Sequence, residues 1–242
     1  MRIAILSDVH ANLAAFEAVL AHIGSIDGLW LLGDVVGYGP DPNECVALLA
    51  ARPHVAIAGN HDWAVLGKLD LVEFNTDARR ANEWTRKQLD AASFDYLEAL
   101  PEKTEVEGYT LAHGSPRSPI WEYLIYPNVA KVSFAHFDTQ ICWVGHTHMP
   151  ILFQDVPDSA RCESLRPLED EPMPLGDDRL ILNPGSVGQP RDGDPRAAYC
   201  LLDTEARTVT WRRVPYDIAV TQDKMRAVRL PRRNLERLSV GW

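Results

Sequence analysis

Cysteine is scarce and scattered in this chain: Cys45, Cys142, Cys162 and Cys200 are the only four in 242 residues, and no two form a CxxC pair. That spacing argues against a thiolate zinc site and a compact disulfide framework, and leaves reduced structural thiols as the expectation. No segment approaches the ~20 apolar residues of a membrane helix. The first apolar run, Ile3 to Leu6, is soon followed by Asp8, too early for the apolar region of a signal peptide. A cytoplasmic protein with no membrane role is therefore expected. Positive charge is in deficit as well, with 24 Lys and Arg against 34 Asp and Glu, a formal net charge of −10. Such a surface repels nucleic acid and disfavours a general nucleic-acid binder or nuclease. It does not exclude an anionic substrate, because divalent ions held by some of those carboxylates would reverse the field inside a site.

What is present suffices for one substantial core: 46% of the residues are hydrophobic and 24% charged. One domain spanning residues 1–242 is expected, with little room for a second. Apolar runs at Ile3 to Leu6, Leu29 to Leu32 and Val55 to Ala58 alternate with helical stretches at Leu13 to His22 and Asn43 to Ala51. That β-α-β-α-β rhythm predicts a largely parallel layer. Asn75 to Leu100 reads as two helices divided near Ala92-Ser93, with Ser93 capping the second. After Pro101 the pattern turns to strands, at Lys103 to Val106, Tyr109 to Ala112, Gln140 to Val144, Ile151 to Phe153, Arg179 to Leu182, Ala198 to Leu202 and Thr208 to Val214. Several are close enough to pair as hairpins, so two sheets face to face with helices outside are expected. Residues 115–137 read as a lid over a site, 155–178 as an exposed, poorly ordered excursion, and the stretch with Arg229, Arg232, Arg233 and Arg237 as a solvated basic tail.

The informative pattern is where the apolar runs end. They lead into Asp8-Val9-His10, Gly33-Asp34, Gly59-Asn60-His61-Asp62, His113-Gly114 and Gly145-His146-Thr147-His148. Sites in open α/β sheets form beyond the carboxyl ends of strands, so five such endings converge if the strands share direction. Residues two apart in an extended chain point the same way, which lets Asp8 with His10, and His146 with His148, reach one centre or two adjacent ones. Glycines 33, 59, 114 and 145 would let the chain turn sharply there. The donor set mixes carboxylate and carboxamide oxygen with imidazole nitrogen and has no sulfur, which suits manganese, iron, zinc, nickel or cobalt, manganese first. Seven ligands exceed the needs of one ion with an open position, so two divalent ions are expected. His22, His54 and His136 have no such partners and read as structural or solvent-facing.

These motifs resemble the signature of the calcineurin-like metallophosphoesterase superfamily, D-x-H, G-D, G-N-H-[DE], H and G-H-x-H, over roughly Met1 to Leu202. Asn183-Pro184-Gly185-Ser186 is similar to a segment of its small prokaryotic phosphodiesterase-type branch. The resemblance implies a four-layer αββα sandwich with two mixed β-sheets. It implies that Asp8, His10 and His148 hold one ion, that Asn60, His113 and His146 hold the other, and that Asp34 bridges both. His61 would stand near the leaving-group oxygen. Two cations about 4 Å apart neutralise phosphoryl oxygens and lower the pKa of a shared water toward 7 for in-line attack. A protonated His61 would serve as general acid, with Asp62 either orienting it or structural.

One departure narrows the reading. The protein-phosphatase branch continues its G-D motif to a second Asp and an Arg, where this chain has Val35-Val36-Gly37-Tyr38. Phosphate must be gripped by other groups, and Asn12, Tyr38 and Arg191 are the candidates. The expected substrate is a small phosphodiester or phosphomonoester, including nucleotides, with Trp63, Trp121, Tyr123 and Tyr126 available to stack on a base. A serine/threonine phosphoprotein phosphatase and a non-catalytic metal-binding scaffold are the rivals, and the sequence sets no oligomeric state.

Overall fold

Alternation along the first strand explains the layering. In β1 (Arg2–Leu6), Ile3 and Ile5 join the core between the two sheets, while Ala4 and Leu6 join the core under the outer helices. The computed structural model describes all residues, 1–242. After β1 come α1 (Leu13–Ile23), β2 (Gly28–Leu31), α2 (Pro42–Ala50), β3 (Val55–Ala56), α3 (Asn60–Leu66), α4 (Thr76–Gln88) and α5 (Ala91–Glu98). The second half holds β4 (Lys103–Val106), β5 (Tyr109–Ala112), α6 (Pro127–Ser133), β6 (Ile141–Trp143), β7 (Ile151–Gln154), β8 (Glu163–Leu165) and β9 (Met173–Pro174). It ends with β10 (Leu180–Asn183), β11 (Ala197–Asp203), β12 (Thr208–Val214), α7 (Ile218–Ala227) and α8 (Arg232–Leu238).

Two mixed six-stranded sheets result, ordered β3-β2-β1-β11-β12-β9 and β4-β5-β6-β10-β7-β8. The expected rhythm appears as parallel β1, β2 and β3, and β5 and β6 are parallel in the other sheet. Between the sheets lie Trp30, Leu32, Leu111, Trp143, Leu182 and Leu202. A second core packs α1 and α2 on the first sheet through Phe16, Val19, Cys45 and Leu49, and a third packs Ala130 and Phe134 on the far face of the other sheet against Phe153 and Ile181. Three apolar interlayers make the αββα sandwich. All four cysteines are free and buried. No helix is long and apolar enough to cross a membrane.

Several expectations need correction. The helix break falls at Leu89-Asp90, and Asp90 is the cap: its side chain accepts the Ser93 backbone N–H at 2.7 Å, because the earlier break leaves Ser93 as the third residue inside the helix. Residues 155–178 are not an unstructured excursion; β8 extends one sheet beside β7, and β9 extends the other beside β12. The basic tail is not merely solvated. Leu235 and Leu238 of α8 are buried against Tyr38, Phe74 and Ala78, which fixes that helix on the body of the protein. Helix α3, which starts on Asn60, carries no long apolar period and has no counterpart in the sequence reading.

Candidate metal centre

Asp8, Asp34, Asn60, His113 and His146 each lie within four residues of the ends of β1, β2, β3, β5 and β6. Parallel pairing brings those ends to one edge of the sandwich, and all seven candidate ligands there are at most 2% exposed. They form two groups, Asp8, His10, Asp34 and His148 in one and Asp34, His113 and His146 in the other, with the ligand atoms of each group within 4.8 Å of one another. Asn60 joins the second through its Oδ1, 3.1 Å from His113 Nε2. Asp34 belongs to both: its Oδ2 lies 3.5 Å from His10 Nε2 and 3.3 Å from His113 Nε2.

Extended backbone does not align these residues, contrary to the alternation argument. Asp8, His10, Asp34, His146 and His148 all have positive φ, between 51° and 64°. The left-handed region costs a non-glycine residue on the order of 1 kcal/mol, so the arrangement persists because surrounding bonds over-determine it. His10 N donates to Asp34 O at 2.9 Å, Asp8 N to Gly33 O at 3.1 Å, and Gly188 N to Asp8 O at 2.9 Å. The glycines also act differently from expectation. Gly33 does turn, at φ +90°, but Gly59 is required for close approach, since a Cβ there would collide with the Asp34 carboxylate.

The donor chemistry fits cations. Each imidazole is oriented by a backbone carbonyl: His10 Nδ1 by Val36 O, His113 Nδ1 by Leu32 O, His146 Nε2 by Trp121 O and His148 Nδ1 by Gln189 O. A neutral ring that donates its one N–H to a carbonyl presents a lone pair on the other nitrogen. Those lone pairs face each other, His10 Nε2 to His148 Nε2 at 3.1 Å and His113 Nε2 to His146 Nδ1 at 3.1 Å. Asp8 Oδ1 and Asp34 Oδ2 are buried with no hydrogen-bond donor. Burial holds His10, His146 and His148 below the usual histidine range, and burial opposed by neighbouring histidines leaves Asp8 and Asp34 below the carboxylate range. His113 is the exception: burial alone would lower it, but Asp34 and Asp8 raise it to about 9. Lone pairs converging on unpaired carboxylate oxygens are complementary to positive ions.

The remaining expected residues divide. His61 lies against this edge, its ring 4.9 Å from that of His10, with Nδ1 2.8 Å from Asn82 Oδ1 on α4 and Nε2 free of protein partners. Asn82, fully buried, takes the orienting place that the missing second aspartate left open. Asp62 does not touch His61; its carboxylate accepts the backbone N–H groups of Asp34, Val36 and Gly59 and pins the two loops together. Asn12 is no phosphate contact. It caps α1 through Ala15 N, donates to Gly188 O and Tyr216 Oη, and accepts from Thr221, which uses its polar atoms inside the fold. Tyr38 packs 4.7 Å from His10 and 4.3 Å from His61, and Arg191 reaches the Tyr38 hydroxyl at 3.4 Å. Within residues 115–137, Tyr123 stacks 3.9 Å from His146, while Trp121 packs on Phe74 and Tyr126 is 64% exposed. His22 and His54 are bonded to tyrosine hydroxyls, in keeping with structural roles.

The chain is similar to known proteins. The family model of the calcineurin-like phosphoesterase superfamily domain matches residues 1–207. An uncharacterized protein of Methanocaldococcus jannaschii is 37% identical over 99% of this chain and 98% of its own length. A metallophosphoesterase of Sphaerobacter thermophilus superposes with a TM-score of 0.91 at 47% identity, covering 100% of both chains. A hypothetical protein of Pyrococcus horikoshii shares the fold, with a TM-score of 0.79 at 20% identity over 100% of this chain and 98% of its own. This chain belongs to the calcineurin-like phosphoesterase superfamily.

Proposed function

We propose that the protein is a phosphoesterase that works with two divalent ions, manganese first among the candidates, on a small phosphodiester or phosphomonoester, nucleotides included. Asp8, His10 and His148 would hold one ion and Asn60, His113 and His146 the other, with Asp34 shared. The observation that carries this reading is the pair of buried donor groups with one carboxylate common to both. Ions bound there would neutralise phosphoryl oxygens and acidify a water toward neutral pH.

The chain's own residues supply the rest. His61 keeps its Nδ1 hydrogen on Asn82, so Nε2 is the atom that hands a proton to the leaving oxygen. Burial, offset in part by Asp34 and Asn82, holds His61 at about 4, and a bound phosphate raises it by its negative charge. Protonation of His61 then accompanies substrate binding. Tyr38, packed on His10 and His61, and Arg191, bonded to the Tyr38 hydroxyl, are the groups that would grip the phosphoryl group, and residues 115–137 cover His146 as a lid through Trp121 and Tyr123. Tyr123 is the one aromatic of that segment placed to stack on a base. Free, buried cysteines suit a reducing cytoplasmic setting. The test is hydrolysis of bis-p-nitrophenyl phosphate and p-nitrophenyl phosphate by metal-stripped protein with and without manganese, beside Asp34→Asn. Metal-dependent turnover that disappears in the variant supports the reading and ranks diester against monoester. Metal-independent or absent turnover contradicts it.

A further inference from the structure

Beside the carboxylate and imidazole cluster lies a hollow of opposite character. A cavity of about 380 Å³ is lined by three arginines, Arg191, Arg233 and Arg237, with one carboxylate, Asp77. That volume is enough for a small ligand. Its walls adjoin the candidate ligands: Tyr38 lines it and packs on His10 and His61, Tyr123 lines it and stacks on His146, and the Arg191 backbone N–H donates to His148 O at 3.2 Å.

These arginines lack the partners that others in this acidic protein have. Arg117, Arg196, Arg212 and Arg213 each pair with a carboxylate. Arg191 and Arg237 have no Asp or Glu partner: they share Gln189 Oε1, at 3.0 and 3.2 Å, Arg191 also reaches the Tyr38 hydroxyl at 3.4 Å, and Arg237 Nε donates to the Trp242 backbone oxygen. Arg233, exposed and four residues before Arg237 on the docked helix α8, faces the same cavity with no partner. Arg191 Nε and Asn234 Nδ2, donors on two of the lining residues, are buried and unbonded. Burial and the nearby Arg191 and Arg233 charges bring Arg237 down to about 10, so Arg237 is still charged at neutral pH and is repelled by its two neighbours. A dense set of forked donors with unmet capacity matches a group with several oxygens and more than one negative charge.

We propose that this cleft is a subsite for further phosphates of the substrate, so that the enzyme acts on a phosphate chain whose scissile group faces His61 while the neighbouring phosphates rest on Arg191, Arg233 and Arg237. The proposal rests on the phosphoesterase reading above. In the reaction, a water oxygen bonds to the scissile phosphorus, its P–O bond to the leaving group breaks, and the leaving oxygen takes a proton. The arginines stay unchanged and hold charge that a single-phosphate ester does not carry.

The test uses the metal-loaded full chain hydrolysing bis-p-nitrophenyl phosphate, with orthophosphate and inorganic tripolyphosphate as inhibitors and free metal kept in constant excess. Tripolyphosphate is expected to inhibit at least about tenfold more tightly than orthophosphate, and Arg233→Glu to erase most of that ratio. Arg232→Gln, a charge on the same helix outside the cavity and paired with Glu236, should leave activity and ratio unchanged. Equal inhibition by the two anions, a ratio unaffected by Arg233→Glu, or a ratio lost equally in Arg232→Gln overturns the proposal. Should bis-p-nitrophenyl phosphate not be hydrolysed, the phosphoesterase reading falls by itself. Calorimetric titration of tripolyphosphate into metal-free protein with chelator then decides the cleft: binding that Arg233→Glu removes sustains it, and no binding by wild type ends it.

Discussion

Two neighbouring regions of this molecule carry opposite demands. The ligand edge gathers carboxylates and imidazoles, almost wholly buried, with every ring fixed by a backbone carbonyl. The cleft beside it gathers guanidiniums with no Asp or Glu paired to them. Lone pairs at the first region call for cations, and unmet donors at the second call for an anion. Joined through Tyr38 and Tyr123, they make a surface suited to a ligand that is itself anionic and sits against bound cations. The difference also shows in how each region is held. The ligand edge depends on left-handed residues cross-linked by backbone bonds, whereas the cleft depends on long side chains, two from α8 and one from the loop before β11.

The sharpest way to break the comparison is at His61, which stands where the two regions meet. His61→Asn should lower kcat by about 10²–10⁴-fold for an alkyl phosphate ester, whose leaving group needs a proton. The loss should be far smaller for p-nitrophenyl esters, and steady-state kinetics on the two classes measures the gap. Equal losses would remove the general-acid role. A weaker effect is expected at Asn82, the residue that orients His61. Asn82→Ala should cost roughly tenfold in kcat, within the range by which such outer partners act. Asn82→Asp should move the pH limb of kcat that belongs to His61 upward, because a neighbouring negative charge favours the imidazolium.

On the cation side, the protonation of His113 gives a smaller but direct signal. With its pKa raised to about 9 in the metal-free protein, His113 is protonated at pH 7, and it must be neutral to act as a ligand. Metal loading at pH 7 should therefore release about one proton, read by calorimetry in buffers of different ionisation enthalpy. The release should shrink as the pH approaches 9, and none at pH 7 would place the proton elsewhere. The smallest effect concerns Asn12. Asn12→Ala should destabilise the fold by about 1 kcal/mol through the lost cap and leave substrate KM unchanged, as thermal unfolding and kinetics would show.

The two regions were unequally legible in the sequence for a physical reason. Each candidate ligand sits just past a strand, so local alternation announces the strand and the next residues announce the chemistry. Asp8-Val9-His10 and His146-Thr147-His148 need no knowledge of the rest of the chain to be noticed. The cleft has no such local mark. Arg191 comes from the loop before β11, and Arg233 and Arg237 from a helix more than forty residues later, so only tertiary packing brings them together. Asn82 was hidden in the same way: α4 is an exposed, charged helix except for a narrow buried face of Ala78, Ala81, Asn82 and Thr85. An asparagine is a poor helix former in a seam of small residues, and this was the one local hint of a special role. The geometry at the ligands was also beyond sequence reasoning, since alternation on a strand suggested a shared direction that left-handed loops in fact supply.

The central claim, that this edge is built for two ions sharing Asp34, is tested most directly by counting them. Metal-stripped protein titrated with manganese by calorimetry, with elemental analysis of the loaded chain, should give two ions per chain in wild type and fewer than two, more weakly held, in Asp34→Asn. One ion per wild-type chain, or two held equally well in the variant, would contradict it.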